Sequence, residues 1–234
     1  RVKKAREESR MNIDTTNAPN TTETAIGFIP CYRLPFLSLF HADCMEIMKQ
    51  YPDKYFDLAI VDPPYGIGAS EKNSINKKQS IKSATTSKYY GNQNWDSEVP
   101  KEDYFKELFR VSKNQIIWGV NYYPYDFLSG GRIYWDKCVT MPTYSNGELA
   151  YCSLINSIKS VQIAWHGMIQ ENMKDKEIRI HPTQKPTDLY SWLLINYAKE
   201  GFKLLDTHFG SGSIALAVDK ANRLDKMNLH LTAC

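Results

Sequence analysis

Apolar residues fall in short runs whose spacing switches between strand and helix along the chain. The stretch LSLFHADCMEIMKQYPDKYFDLAIVDPPY, from Leu37, predicts a strand ending at Asp43, a helix near residues 44–50 and a strand over 57–61. Strand, helix and strand in that order make a unit with a parallel pair. Tyr104, Phe105, Leu108 and Phe109 lie at helical spacing and predict a helix over 101–110 with its rings in the core, followed by the strands QIIWGV and RIYWD. An amphipathic helix is predicted over 187–199, with Pro186 at its start, where a proline is tolerated. FKLLDTHFGSGSIALAVDK and LHLTAC then form a closing strand, helix and strand. The expected fold is an α/β domain over 34–234, preceded by an N-terminal arm over 1–33. Residues 137–180 read as an irregular insertion with strand-like pieces around 149–154 and 161–165.

Composition narrows the class. The 234 residues are 42% hydrophobic and 12% aromatic, enough for a sizeable core. The net charge of +3 resides in the first ten residues, with five basic and two acidic side chains, so residues 11–234 are balanced. A polyanion would have to meet local patches. One such patch is the polar stretch 69–94, which carries Lys77, Lys78, Lys82 and Lys88 and reads either as a mobile basic loop or as a solvated surface loop. No run approaches the roughly 18 apolar residues of a membrane span, and no signal-peptide core is present, so a cytoplasmic protein is expected. The five cysteines form no CxxC pair, so neither a metal site nor a disulfide framework is expected.

Two motifs carry the candidate chemistry. In IVDPPYGIG, residues 60–68, a buried strand ends in Asp62, Pro63, Pro64 and Tyr65. A carboxylate accepts hydrogen bonds, the prolines stiffen the backbone so that a carbonyl points outward, and a tyrosine ring offers a stacking face. Together they suit an exocyclic amine on a flat base. In LLDTHFGSGSIALA, residues 204–217, a strand passes through a glycine turn into a helix, so backbone can approach a nucleotide-like ligand at a helix start. The turn lacks the GK[ST] of a phosphate loop and is not GxGxxG. Asp43 and Asp62, both at carboxyl ends of strands, are expected to share one crevice.

DPPYG, HPTQKP and DTHFGSGS, in that order, resemble the amino-methylating, site-specific DNA methyltransferases of bacteria and phages. The likeness runs from about Leu39 to Cys234, and the catalytic motif ahead of the glycine motif is similar to the permuted β group. The resemblance implies a Rossmann-like fold with circularly permuted motif order, a mostly parallel sheet with helices on both faces, and a target-recognition region at about 137–180. It implies S-adenosyl-L-methionine as cofactor, double-stranded DNA as partner, and admits a cognate restriction enzyme and a homodimer.

Carried over by residue, Asp62 and the Pro63 carbonyl would hold the amine of a flipped-out base, within a motif that includes Pro64, and Tyr65 would stack on it. Tyr65→Phe is then expected to be milder than Tyr65→Ala. Asp206, Phe209, Gly210, Ser211 and Gly212 would line the cofactor pocket, Asp43 would meet its adenine, and His181, Thr183, Gln184 and Lys185 would form the cofactor-side turn. The lysines of 69–94 would meet DNA. Similar proteins continue after LHLTAC with an acidic residue for the ribose, so a truncated C-terminal end is expected. Asp at position 62 favours adenine N6 as target. Cytosine N4 methylation and a catalytically impaired DNA-binding remnant stay open as alternatives.

Overall fold

The computed structural model describes residues 29–68, 96–139, 145–166, 169–181 and 183–234. In chain order the strands are β1 (Tyr32–Leu34), β2 (Leu37–Leu39), β3 (Phe56–Val61), β4 (Ser112–Trp118), β5 (Arg132–Asp136), β6 (Gly147–Cys152), β7 (Ile158–Gln162), β8 (Trp165–His166), β9 (Ile169–Gln170), β10 (Lys203–Asp206) and β11 (His230–Ala233). The helices are α1 (Cys44–Met48), α2 (Glu102–Val111), α3 (Thr187–Tyr197) and α4 (Ser213–Asp225). Nine of the strands form one sheet in the order β1-β2-β11-β10-β3-β4-β6-β5-β7, and β8 pairs with β9 alone.

The centre of the sheet, from β2 through β11, β10 and β3 to β4, is parallel. Both its faces are covered, as a parallel sheet requires. Leu58 and Ile60 of β3 pack with the apolar residues of α3 and α4, whereas Ala59 and Val61 pack with those of α1 and α2. The period-2 alternation of a strand thus divides the core into two layers.

Local chemistry sets the helix ends. Asp43 caps α1 by accepting from the Met45 amide at 2.8 Å. Glu102 and Asp103 stand at the positive end of α2. At its other end Lys54 donates to the Phe109 and Ser112 carbonyls, so the helix passes straight into β4. Pro186 precedes α3 without capping it, and Glu177 does so instead, accepting from the Thr187 amide and hydroxyl.

Three expectations change. The strand expected to end at Asp43 ends at Leu39, and Asp43 lies beyond it as the cap of α1. Pairing starts at Tyr32 because β1 folds antiparallel onto β2, two residues before the expected start of the domain. Within 137–180, β6 and β7 are part of the main sheet rather than an irregular insertion: β6 runs antiparallel between β4 and β5, and β7 lies parallel to β5. Among the described residues no helix is long and apolar enough to cross a membrane.

Candidate active site

β3 delivers Asp62 at its carboxyl end, and the turn that follows is braced by hydrogen bonds as well as by its prolines. Asp96, 1% exposed, accepts from the amides of Tyr65 at 2.7 Å and Gly66 at 3.0 Å. Its carbonyl accepts from Gly68. The Tyr123 hydroxyl donates to the Pro63 carbonyl at 3.0 Å. Gly66 has φ +67, a backbone that glycine adopts without a Cβ penalty.

Around Asp62 the sheet assembles alternating charges. Lys185, at the end of the HPTQKP turn and only 2% exposed in its side chain, places Nζ 2.5 Å from Asp62 Oδ2 and 3.0 Å from Glu148 Oε2. It also donates to the Tyr65 hydroxyl oxygen at 3.0 Å. That hydroxyl donates to Asp62 Oδ1 at 2.6 Å and lies 3.1 Å from Glu148 Oε2. Lys137 pairs with the other Glu148 oxygen at 2.5 Å. Burial pushes the Glu148 carboxyl up, but the ammonium groups of Lys185 and Lys137 outweigh it and hold the acid at about 2. Burial pulls Lys185 down, and the charges of Asp62 and Glu148 reverse this, leaving it above its ordinary value. Tyr65 is pushed well up, first by burial and then by the same two carboxylates, so it remains a phenol that can donate. Its ring stacks on Tyr122, and its edge lies against Gly119.

A cavity of about 350 Å³ opens beside Asp62 and Pro64. His181, Thr183, Gln184 and Lys185 line it from the turn before α3, and Phe209, Gly210 and Ser211 from the turn before α4. The two motifs, some 145 residues apart in the chain, therefore share one cavity, of a size within the range of roughly 300–1,000 Å³ for small-molecule sites. Gly210 and Gly212 have φ of +52 and +73. Gly212 opens α4 with no side-chain cap, one position past Ser211 of the cavity wall, and its carbonyl accepts from the Ala215 amide. A Cβ at Gly212 would meet the Phe209 ring at 3.1 Å.

The remaining expected residues are placed as follows. Asp206 is buried at the end of β10 and accepts from the His208 amide at 3.0 Å. Burial raises its carboxyl to about 7, with the His208 amide opposing and Asp62 adding. Asp43 is exposed, caps α1 and does not line the cavity, although its charge reaches His208. Gln184 holds the turn together, accepting from the Ile180 amide through its side chain and from the Trp165 indole through its carbonyl. Lys77, Lys78, Lys82 and Lys88 lie outside the described residues.

Glu148, Lys137, Asp96, Tyr122 and Tyr123 were not among the candidates read from the sequence. Only Glu148 carried a local signal, as a carboxylate in the strand GELAYC. His208 was also missed. It lines the cavity, and burial pushes its imidazole down to about 4 against the pull of Asp43.

The family described as DNA methylase, of N6 and N4 type, matches residues 133–224, from β5 through most of α4. Among curated relatives, the Type II methyltransferase M2.MboI of Moraxella bovis is 26% identical over 220 residues, covering 77% of this chain and 78% of that protein. The Type II methyltransferase M.ScaI of Streptomyces caespitosus is 33% identical over 52 residues, 22% of this chain and 17% of its own length. Among solved structures, the cytosine-N4-specific PvuII DNA methyltransferase superposes with a TM-score of 0.52 at 12% identity, covering 88% of this chain and 84% of that one, a likeness of fold.

Proposed function

We propose that the chain is a DNA methylase of N6 and N4 type, a reading supported by the family match over residues 133–224 and the likeness to M2.MboI, and that it transfers a methyl group from S-adenosyl-L-methionine to the N6 amine of an adenine in a specific site of double-stranded DNA. The observation that carries this reading is the cavity in which Asp62 and Pro64 of the DPPY turn face Phe209, Gly210 and Ser211 of the glycine turn. Bound there, the donor would supply an electrophilic methyl carbon on a positively charged sulfur.

The fit rests on this chain's residues. The glycine turn, with Gly210 and Gly212 at positive φ, lets backbone approach the ligand, and α4 opens directly after it without a side-chain cap. On the other wall Asp62 accepts a hydrogen bond from the amine, and the Pro63 carbonyl, fixed by Tyr123, offers a second acceptor. Two acceptors on the amine hydrogens oppose delocalisation of the nitrogen lone pair and orient it for in-line attack. The donor would give up its methyl carbon to the amine nitrogen and keep the C–S electron pair on sulfur, and Asp62 would take the surplus amine proton and pass it to solvent. No cysteine is required, since the amine itself is the nucleophile.

A base stacked in a duplex cannot reach this wall, so it must be extruded at a cost of a few kcal/mol, which stacking worth roughly 1–3 kcal/mol offsets. Tyr65 supplies the stacking face. Lys77, Lys78, Lys82 and Lys88 would meet phosphates, and residues 137–180 would read the site.

The test is incubation of the protein with labelled S-adenosyl-L-methionine and unmethylated genomic DNA, followed by digestion and separation of nucleosides. Label in N6-methyladenine is the expected result. Label in N4-methylcytosine would move the target to cytosine, and DNA binding without label would leave a DNA-binding remnant.

A further inference from the structure

Glu148 has no part in holding the donor or the base in the reading above, yet its two oxygens meet the buried ammonium of Lys185 and the half-buried one of Lys137, and one of them lies within hydrogen-bonding distance of the Tyr65 hydroxyl. β6 places it there. That strand lies between β4 and β5, and the register sets Glu148 opposite Trp135 and Gly147 opposite Asp136, next to Lys137.

The arrangement runs Lys137, Glu148, Lys185, Asp62, with signs alternating along the row. Lys185 has three N–H bonds, and each has an acceptor: Asp62 Oδ2, Glu148 Oε2 and the Tyr65 hydroxyl oxygen. Without Glu148 one of these donors would be unanswered, and Asp62 would be the only carboxylate facing the full charge of the buried ammonium. Glu148 draws part of that charge away, and Lys137 neutralises the far Glu148 oxygen.

We infer that Glu148 is a positioning residue for methyl transfer, acting through Lys185 to hold the Asp62 carboxylate in place with lone pairs free for the incoming amine. The inference rests on the reading of the site as a DNA amino-methyltransferase. Glu148 touches neither the donor nor the base. Its effect is on the rate of transfer, not on donor affinity.

The experiment measures single-turnover methylation of DNA and, separately, donor binding by calorimetry for the full chain. Glu148→Gln is expected to slow transfer by about 10²-fold, the scale of a small misplacement of a reacting group, with donor affinity unchanged. On a Lys185→Met background the same substitution is expected to change the rate by no more than about twofold, the size of ordinary non-additivity between uncoupled sites. The charge-balanced double variant, Glu148→Gln with Lys137→Met, keeps buried charges paired and is expected to fold with parental donor affinity while remaining slow. Equal losses on both backgrounds, or donor affinity falling in step with the rate, would overturn the inference. So would an active parent with an equally fast Glu148→Gln variant, leaving the functional reading intact. A parent that transfers no label overturns both together.

Discussion

The rings of Tyr65 and Tyr122 lie 5.0 Å apart and 15° from parallel, so one face of the Tyr65 ring already has an aromatic partner. A base using that face must take the place of Tyr122, which is 40% exposed and sits in the short turn Val120–Tyr122. The Tyr65 hydroxyl, meanwhile, is bonded to Asp62 and Lys185 and faces Glu148. This reverses the expectation from stacking alone, in which Tyr65→Phe is mild. Hydrogen bonds to charged groups are worth about 1.5–3 kcal/mol, so Tyr65→Phe is expected to slow transfer roughly 10- to 100-fold, approaching Tyr65→Ala. Tyr122→Ala leaves the hydroxyl in place and should alter DNA-dependent steps while sparing donor affinity. Single-turnover rates beside donor titrations separate the two.

Asp206 and His208 oppose one another in pH dependence. The folded Asp206 carboxyl, raised to about 7, keeps its proton while the unfolded one loses it near 3.8, so its contribution to stability falls as pH rises between those values. The folded imidazole of His208, lowered to about 4, stays neutral while the unfolded one gains a proton near 6.5, so its contribution rises over nearly the same window. The two slopes largely cancel between about pH 4 and 6.5. Asp206→Asn should therefore make stability climb with pH across this window relative to the parent, and His208→Gln should make it fall. Denaturation midpoints at several pH values give both slopes, and equal slopes in the two variants would refute the assignment.

Gly119 is required by Tyr65. Its φ is +75, and a Cβ there would lie 2.2 Å from the Tyr65 ring. Gly119→Ala should combine a backbone penalty of about 1–2 kcal/mol with overpacking of about 1–3 kcal/mol, and it should cost methyl transfer because the ring must move. Gly201 has φ +78 with open space around its missing Cβ. Gly201→Ala should show the backbone penalty alone and full activity, as read by denaturant midpoints and transfer rates.

Replacing Lys77 and Lys78 together by Ala should weaken DNA binding and flatten its salt dependence. If each meets one phosphate, the logarithmic slope falls by about 2, at roughly 0.9 per contact on duplex DNA. An unchanged slope would return 69–94 to a solvated surface loop.

The sequence made the central unit legible wherever the signal was local. β3, α2 and α3 follow from complete apolar periods, and the two turns follow from Asp, Pro and Gly at fixed spacing. β1 is three residues whose burial depends on β2, and no period can form in so short a run. β6 and β7 were visible as pieces, but their place in the sheet depends on partners such as Ile117 opposite Tyr151, 34 positions away. The site divides in the same way. Asp62 announces itself through its neighbours, whereas Glu148 acquires meaning only when β6 meets the HPTQKP turn. Lys185 was assigned to the cofactor side, and it does line the cavity, yet its ammonium is held at the Asp62 carboxylate. Charge partnership across a sheet leaves no periodic trace in the chain.

The link between β5 and β6 is closed at its base by the Lys137 amide on the Asn146 carbonyl, with Lys137 and Glu148 beside this clasp. The two ends of the connection are thus anchored beside the row of charges that leads to Asp62, while residues 139–145 between them contribute none of the four charges. A graft exchanging that span leaves the charge row intact, provided its boundaries fall inside the clasp. A graft that takes in Lys137 at one end, or Glu148, two positions past Asn146, at the other, removes a member of the charge row.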